Sequence, residues 1–503
     1  MDKEGLKRYK YLRVVIINTM VGGRYFMPIK TTYLVIIMVV LIVISSLTGY
    51  YIGAQFAAAP STITLTETKT VTKTITGTVT PPAFNWRQYE GATLRVLLKE
   101  GYETAAVKKF LSEFEELTGI RVELEIYDEP TTRKKFILDA AAKTGVYDVV
   151  AVQFWYFAEY YQAGWLEPLD EYIAERSPPN FYIDDFPEGI LNLYRGNDGK
   201  IYVIPASASG GVLIYRVDIL EKHNLTPPKT VKDVVELAKK LKELEPDLYP
   251  FIGRGTPDFA SFGTSAGWAW PYGAKILEII EPKKVKVTID TPEMLEAMKD
   301  YVALMKDYGP PEAAAMSWDK MSEIYRAGKA VLNFEMSGFP WVYNNPDISG
   351  VAGKIDYVLI KGPADNYAQW LYSEGLAISK FSRNKGAAWL FIVWRCSYDM
   401  WIKEAEAGIR FDLPSINVYK DSRYWEAADR WGATDLAKKM SDVMASVDGR
   451  YWPWIPEFVE VAEAFQSKIS AAIAGEISVE EALRRAQADV ESILSGHGYQ
   501  IIK

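Results

Sequence analysis

The sequence has almost no cysteine and almost no histidine. Its 503 residues include one cysteine and two histidines. A lone Cys396 excludes an intramolecular disulfide, and its place in the apolar stretch 389–396 predicts a buried, unreactive thiol. His223 and His497 are far apart, so neither a histidine-based metal site nor a Ser-His-Asp triad is expected. We therefore predict no metal and no cofactor, with stability coming from a large core instead of disulfides.

The sequence also lacks net positive charge outside its first 30 residues. The whole chain has a net charge of −8, and residues 1–30 account for about +5, which leaves about −13 for the remainder. A nucleic acid partner is excluded because phosphate binding needs a basic surface. The basic residues of this first segment are Lys3, Lys7, Arg8, Lys10, Arg13, Arg24 and Lys30.

No charged residue occurs between positions 33 and 51. This run is long enough for a membrane-spanning helix, which needs roughly 20 residues. The positive-inside rule then places residues 1–30 in the cytoplasm and the rest of the chain outside the cell. The alternative is a cleaved secretory signal with small residues at 57–59. A retained single-pass anchor over 31–54 is favoured because the run is long for a signal peptide, so the predicted location is the cell membrane.

Threonine occupies every second position from Thr62 to Thr80. Period-two alternation could indicate a strand, but prolines at 60 and 81–82 bracket the segment and a strand of this length would be abnormal. We interpret residues 55–84 as an extended, Thr-rich stalk and a candidate for O-glycosylation. Residues 85–503 are predicted to form the folded part.

Apolar strand patterns and amphipathic helix patterns alternate at the start of the folded part. Strands are predicted at 93–98, 120–127 and 147–153, with helices over 104–117 and 131–143. This alternation indicates βαβ units and a mainly parallel sheet, which is an α/β fold.

The order of several longer motifs resembles family 1 extracellular solute-binding proteins, the maltose- and sugar-binding group of ABC importers. Together the matching stretches span nearly all of residues 92–495. They are FEELTGIRVELEI, YDVVAVQFWYFAEYYQAGWLEPLDEYI, KIYVIPASASGGVLIYRVDILEKHNLTPPKTVKDVVELAKKL, YRAGKAVLNFEMSGFPW, SEGLAISKFSRNKGAAWLFIVW and IPEFVEVAEAFQSKISAAIAGEISVEEAL.

The resemblance implies a periplasmic-binding-protein-like fold of type II, with two α/β lobes that close on a hinge. The N-lobe would be about 92–206 plus 361–405, and the C-lobe about 207–360 plus 406–503, with crossovers near 205–209 and 356–360. It also implies a monomer that is not an enzyme. Such a protein would bind a carbohydrate and deliver it to ABC permease subunits in the membrane.

A carbohydrate site needs aromatic faces for the C–H groups of the sugar and polar side chains for its hydroxyls. Residues of both kinds follow the predicted strands or lie in small-residue loops, and Trp341 matches the family position of a stacking tryptophan. We interpret GWAWPYG as a surface loop that presents Trp268 and Trp270. The full set of predicted ligand contacts is Glu100, Tyr102, Gln153, Trp155, Ser207, Ser209, Trp268, Trp270, Glu335, Trp341, Tyr372 and Glu374.

Three alternatives stay open at this point. An anchored glycoside hydrolase would need two facing carboxylates, for which Glu100, Glu335 and Glu374 are the candidates. The same fold could bind a polyol, a sugar phosphate or a peptide, and an adhesion protein would have no buried cleft. A neutral carbohydrate leads because the candidate loops offer glutamate and aromatic residues, whereas a phosphate would need Arg or Lys. The predicted ligand is an oligosaccharide, such as a maltose- or trehalose-type sugar.

Overall fold

The computed structural model describes residues 84–503, which belong to one compact unit. The predicted cytoplasmic tail, membrane segment and stalk lie outside the described residues, apart from the last position of the stalk. Within 84–503, no helix combines the length and the apolar character that a membrane crossing requires.

The strands alternate with helices along most of the chain, as expected for an α/β fold. They are β1 (Thr93–Lys99), β2 (Arg121–Tyr127), β3 (Val149–Gln153), β4 (Ile204–Ser209), β5 (Gly211–Arg216), β6 (Tyr249–Ile252), β7 (Leu277–Glu281), β8 (Lys284–Val287), β9 (Ala330–Met336), β10 (Ile355–Val358), β11 (Tyr372–Ile378) and β12 (Gln500–Ile501).

The helices fill the intervals between the strands and most of the chain after β11. They are α1 (Tyr102–Thr118), α2 (Glu129–Ala142), α3 (Phe154–Gln162), α4 (Asp170–Glu175), α5 (Glu188–Leu191), α6 (Val217–Lys222), α7 (Val231–Leu244), α8 (Phe259–Ala269), α9 (Pro292–Asp307), α10 (Trp318–Arg326), α11 (Phe339–Asn344), α12 (Lys385–Arg395), α13 (Tyr398–Glu406), α14 (Ser422–Arg430), α15 (Thr434–Ala437), α16 (Met440–Ser446), α17 (Phe458–Ala474) and α18 (Val479–Gly496).

The first sheet has five strands in the order β2-β1-β3-β11-β4. Strand β1 pairs in parallel with β2 and β3, as the alternating pattern predicts, whereas β11 is antiparallel to both β3 and β4. The C-terminal ends of β1 and β3 therefore lie at the same edge of the sheet as the N-terminal end of β11. That edge supplies one side of the candidate site.

The second sheet has four strands in the order β10-β5-β9-β6, and a smaller third sheet has the order β12-β8-β7. The chain leaves the first sheet at Ser209 and enters the second at Gly211. It returns between Val358, the end of β10, and Tyr372, the start of β11. Two crossing segments therefore connect the sheets: the first is 209–211 and the second is 358–372. Helices α14 to α16 come later in the chain.

Local signals explain where several helices begin and end. Thr230 caps α7 and forms a reciprocal capping box with Asp233, which satisfies backbone N–H groups at both positions. Asp128 accepts a hydrogen bond from the backbone N–H of Thr131 at the start of α2. Helix α1 ends at Gly119, whose φ of 68° lies in the left-handed region that glycine adopts without strain.

Apolar helix α12 is buried along nearly its whole length, and Cys396 follows it. Cys396 is buried, as predicted, and burial raises the pKa of its thiol to about 12.

The two crossing segments pack so closely that glycine is required where they meet. A Cβ at Gly211 would lie 2.3 Å from the backbone nitrogen of Trp370, and one at Gly267 would lie 1.5 Å from the carbonyl oxygen of Gln369. Helix α8, which contains Gly267, therefore packs directly against the second crossing segment. Trp370 and the following strand β11 are placed by these contacts.

We predict that Gly267→Ala lowers the free energy of unfolding by about 1–3 kcal/mol, because the added methyl group forces backbone atoms apart. Gly496→Ala is the matched control, since it also lies in a helix but has no atom within 4 Å of its Cβ position. Urea denaturation monitored by circular dichroism measures both. Equal stability of the two variants would contradict the close packing of α8 against the second crossing segment.

Candidate functional site

Four polar or aromatic side chains meet where β1, β3 and β11 share an edge, and we call them the carboxylate wall (Lys99, Gln153, Tyr372 and Glu374). Gln153 ends β3 and lies directly opposite Glu374 in the antiparallel pairing. Its amide donates to a Glu374 Oε2 that also accepts the Tyr372 hydroxyl at 3.5 Å. The Lys99 Nζ lies 3.8 Å from the same oxygen. A buried carboxylate is thus held in place by three neighbours.

Glu129, the first residue of α2, holds the aromatic residues that follow β3. Its Oε1 accepts the Trp155 indole N–H at 3.2 Å and the Tyr156 hydroxyl at 3.0 Å. Burial raises the pKa of Glu129, and Lys99 acts in the opposite direction. Glu129 thus holds the Trp155 and Tyr156 rings by one hydrogen bond each.

A buried ion pair lies on the other side of the site, at the ends of β6 and β9. The Arg254 Nε donates to Glu335 Oε2 at 2.6 Å, and its Nη2 donates to Oε1 at 2.9 Å. The Arg254 guanidinium lies 4.8 Å from the centre of the Trp370 ring and 5.7 Å from that of Phe339. The bidentate geometry holds the guanidinium plane against the aromatic rings.

An aromatic cage connects the two sides, and we define it as Trp155, Phe259, Trp370, Tyr372 and Trp452. The Trp155 ring centroid lies 5.6 Å from Tyr372, 5.5 Å from Phe259 and 6.4 Å from Trp452, which it meets nearly parallel. Trp370 lies 6.4 Å from Trp452. The cage thus joins residues at the edge of the first sheet to residues from α8 and the C-terminal region.

The indole N–H groups of Trp370 and Trp452, both members of the cage, are buried and have no hydrogen-bond partner among the described residues. The same holds for the hydroxyl of Ser207, which lies opposite Glu374 on β4. A buried polar group without a partner costs about 1–3 kcal/mol. A bound molecule with several oxygen atoms would satisfy these groups.

A separate polar node lies at the first crossing. The Asp412 Oδ2 accepts the Ser209 hydroxyl at 2.5 Å and the Ser337 hydroxyl at 3.5 Å, while its Oδ1 accepts the Arg410 Nε at 3.0 Å. Ser209 ends β4 and Ser337 follows β9, so one buried carboxylate links strands of both sheets.

Several of the predicted ligand contacts come together in this region. Gln153, Trp155, Tyr372 and Glu374 form parts of the wall and the cage, and Ser207 pairs with Glu374 across the strands. Glu335 lies behind Arg254, where its carboxylate is already engaged by the guanidinium and by the backbone N–H of Met336. The remaining predicted contacts lie outside this region or already contact other groups of the protein.

The prediction of a surface loop at GWAWPYG is wrong. Trp268 lies in helix α8 and is 0% exposed, packed against Phe251, Tyr301 and Phe334. Small residues suggested a loop, but here they let an apolar helix pack closely on several sides. Trp270 is also buried, in a short 3₁₀ turn, and packs against Tyr451.

Two further predicted residues, Glu100 and Trp341, differ from the arrangement that the sequence suggested, and the prediction for Tyr102 stays untested. Glu100 is exposed and forms an ion pair with Lys108 at 3.1 Å. Trp341 stacks on Phe411 with 4.3 Å between ring centroids, so one of its faces is already covered. Tyr102 begins α1, and its side chain lies outside what the structure describes.

The sequence interpretation missed Lys99, Glu129, Arg254, Trp370 and Trp452. Lys99 and Glu129 follow predicted strands, so applying the strand-end criterion to every predicted strand would have found them. Arg254 follows β6, which the sequence pattern did not predict. Trp370 lies two residues before Tyr372. Trp452 has no local signal, because about 300 residues separate it from Trp155 and only the tertiary fold brings them together. Phe259 was missed for the same reason.

No group of three or more His, Cys, Asp or Glu side chains is arranged to hold a metal ion within 84–503. The buried carboxylates near the cage have cationic or hydroxyl partners instead. The arrangement offers hydrogen bonds and aromatic faces.

Comparison with known families and proteins gives a consistent result. A family described as bacterial extracellular solute-binding protein matches residues 100–395. The mannitol-binding protein of Pseudomonas aeruginosa is 24% identical over 429 residues, which cover 81% of this chain and 94% of that protein. The erythritol/L-threitol-binding protein of Mycolicibacterium smegmatis is 24% identical over 361 residues, with 69% and 76% covered.

Solved structures give the same fold. A solute-binding protein of Agrobacterium vitis with bound D-mannitol has a TM-score of 0.69 and 26% identity, covering 81% of this chain and 99% of that chain. Maltose-bound MalE3 of T. maritima has a TM-score of 0.67 and 25% identity, with 80% and 100% covered. The predicted periplasmic-binding-protein-like α/β fold is therefore confirmed.

We predict that Glu335→Ala lowers the free energy of unfolding by about 3–5 kcal/mol, because it leaves the Arg254 guanidinium buried without its partner. Glu100→Ala removes a carboxylate from an exposed pair and is expected to leave stability unchanged within error. Chemical denaturation at neutral pH compares the two. If both variants matched the unaltered protein, the Arg254–Glu335 pair would not be a buried structural contact.

Proposed function

Because this chain belongs to the family of bacterial extracellular solute-binding proteins, we propose that it captures a neutral sugar or polyol as the substrate-binding subunit of an ABC importer. The observation that carries the proposal is the aromatic cage, which lies beside buried polar groups that have no partner in the protein. Aromatic faces suit the C–H groups of a carbohydrate, and hydroxyl groups can satisfy Ser207 and Trp370.

Charge balance around the cage supports a neutral ligand. Lys99 faces Glu374, Arg254 is engaged by Glu335, and Arg410 is engaged by Asp412. An anionic ligand such as a sugar phosphate would have to compete with these carboxylates for each cation. The predicted preference for an uncharged carbohydrate therefore stands as part of the proposal.

We propose that the part of the ligand held in the cage is small. The rings around Trp155 contact one another at centroid distances of 5.5–6.4 Å, so the cage is closed in this structure and admits ligand only when the lobes separate. Relatives named for mannitol and for erythritol or L-threitol favour a polyol at this position. The maltose- or trehalose-type oligosaccharide predicted from the sequence takes second place to a polyol or monosaccharide unit in the cage.

Capture requires no chemical step. We propose that the lobes, about 92–206 plus 361–405 and about 207–360 plus 406–503, separate to admit ligand and close around it. Ligand shifts this equilibrium only by its greater affinity for the closed state, in which both sides of the cage contact it. The closed form then docks on the permease subunits as a monomer.

Residues 1–54 fit the same proposal. The basic residues before position 31 and the uncharged run 33–51 would anchor the protein in the cell membrane with the binding domain outside the cell. The Thr-rich segment 55–84 would hold that domain away from the bilayer. Membrane fractionation together with protease accessibility on intact cells tests the location.

A glycoside hydrolase has little support in the site. Of the three candidate carboxylates, Glu100 is exposed and Glu335 is bound on both oxygens by Arg254. Glu374 is left without a second carboxylate among the predicted set to act across a glycosidic bond.

We predict that mannitol, ribitol or a hexose raises the melting temperature in a saturable manner, because a ligand that binds only the folded state stabilises it. Glu374→Gln is expected to weaken binding by about 1.5–3 kcal/mol, since it removes the charged acceptor of the carboxylate wall. Isothermal titration calorimetry measures the affinities.

The matched control is Glu100→Gln, which changes an exposed glutamate one residue beyond β1 and should leave affinity unaltered. A sugar phosphate that binds more tightly than every neutral sugar and polyol would contradict the proposed ligand class.

A further inference from the structure

A second concave region lies beside the aromatic cage and is not used by the proposed function. It is a cleft of about 990 Å³ between the α5 region, strand β7 and the segment that follows α16. We call it the outer cleft. Asn192, Ile280, Asp448, Trp452 and Trp454 are among the residues that line it. Ligand sites in proteins have volumes of roughly 300–1,000 Å³, so the outer cleft has the size of a binding site.

The lining of the outer cleft combines apolar surface with hydrogen-bonding groups. Ile279 and Ile280 of β7 are 48% and 50% exposed, an unusual exposure for two consecutive isoleucines. Trp454 packs against Phe157 and Tyr161 and remains partly exposed where it lines the outer cleft. Exposed Asn192 adds an amide, so both apolar faces and hydroxyl edges of a sugar find suitable partners.

The charges of the outer cleft exclude an anionic occupant. Glu188, Glu278 and Asp448 line it, with Lys275 as the basic residue among the lining side chains. Carboxylates accept hydrogen bonds from hydroxyl groups but repel phosphate or carboxylate ligands. A neutral, polyhydroxylated molecule fits this balance.

Trp452 belongs to both regions. Its ring lies against Trp155 and Trp370 in the cage, and it also forms part of the outer cleft wall. The cage and the outer cleft are therefore neighbouring compartments that share one aromatic side chain.

We propose that the outer cleft is a second carbohydrate subsite, which holds the additional sugar units of a glycoside whose terminal polyol or sugar unit occupies the cage. This inference rests on the proposed function of the cage. The transported substrate is then a short glycoside, and a single polyol or sugar unit binds more weakly than the glycoside.

The test is a titration of the full-length protein with two series of increasing length. One series is sorbitol, maltitol and maltotriitol, and the other is glucose, maltose and maltotriose. We expect the two- or three-unit member of one series to bind about tenfold tighter than its single unit, because contacts in the outer cleft add to those in the cage.

Two variants assign that gain to the outer cleft. Trp454→Ala removes an aromatic wall, and Ile280→Ser changes an exposed side chain that folding does not require. Each is expected to remove most of the length-dependent gain and to leave single-unit affinity within about twofold. Ile348→Ser is the matched control, because Ile348 is 51% exposed and is not among the residues that line the outer cleft.

The outcomes separate this inference from the proposed function. Single units that bind without any gain from added units would overturn the second subsite and leave the cage proposal intact. A gain that survives both variants would also overturn it. Failure of every member of both series and of mannitol to bind would count against the proposed function itself.

Discussion

The close packing of two crossing segments is the constraint on which the rest of the site depends. Gly211 and Gly267 leave no room for a side chain where they meet Gln369 and Trp370. This contact fixes Trp370 beside Arg254 and sets the start of β11, the strand that carries Glu374. A residue larger than glycine at these positions would separate the edge of the first sheet from α8, and the aromatic cage would lose its shape.

The electrostatics of the site follow from burial. Cations and carboxylates removed from water need partners, and those near the cage are paired within the protein: Lys99 with Glu374 and Arg254 with Glu335. The paired charges leave a neutral but strongly polar surface, on which the Ser207 hydroxyl and the indoles of Trp370 and Trp452 have no partner within the described part of the chain. Such a surface favours hydroxyl-rich ligands, since they supply hydrogen bonds without adding charge.

Much of the fold and part of the site could be predicted from the sequence. Alternation of strand and helix patterns gave the βαβ start, and strand ends indicated Gln153 and Glu374. The prediction for Trp268 was wrong because a helix rich in small residues has the composition of a loop until its packing partners are known. Trp452 and the Arg254–Glu335 pair depend on contacts between distant parts of the chain, which local patterns do not encode.

Whether the cage is the capture site is tested most directly by a crystal structure of the protein grown with mannitol or with the tightest ligand of the two series. We expect ligand density between Trp155 and Trp370, with a ligand hydroxyl within hydrogen-bonding distance of Glu374 and another oxygen near the Trp370 Nε1. A ligand bound at saturating concentration elsewhere on the protein, with the cage unchanged and empty, would show that the cage is not the capture site.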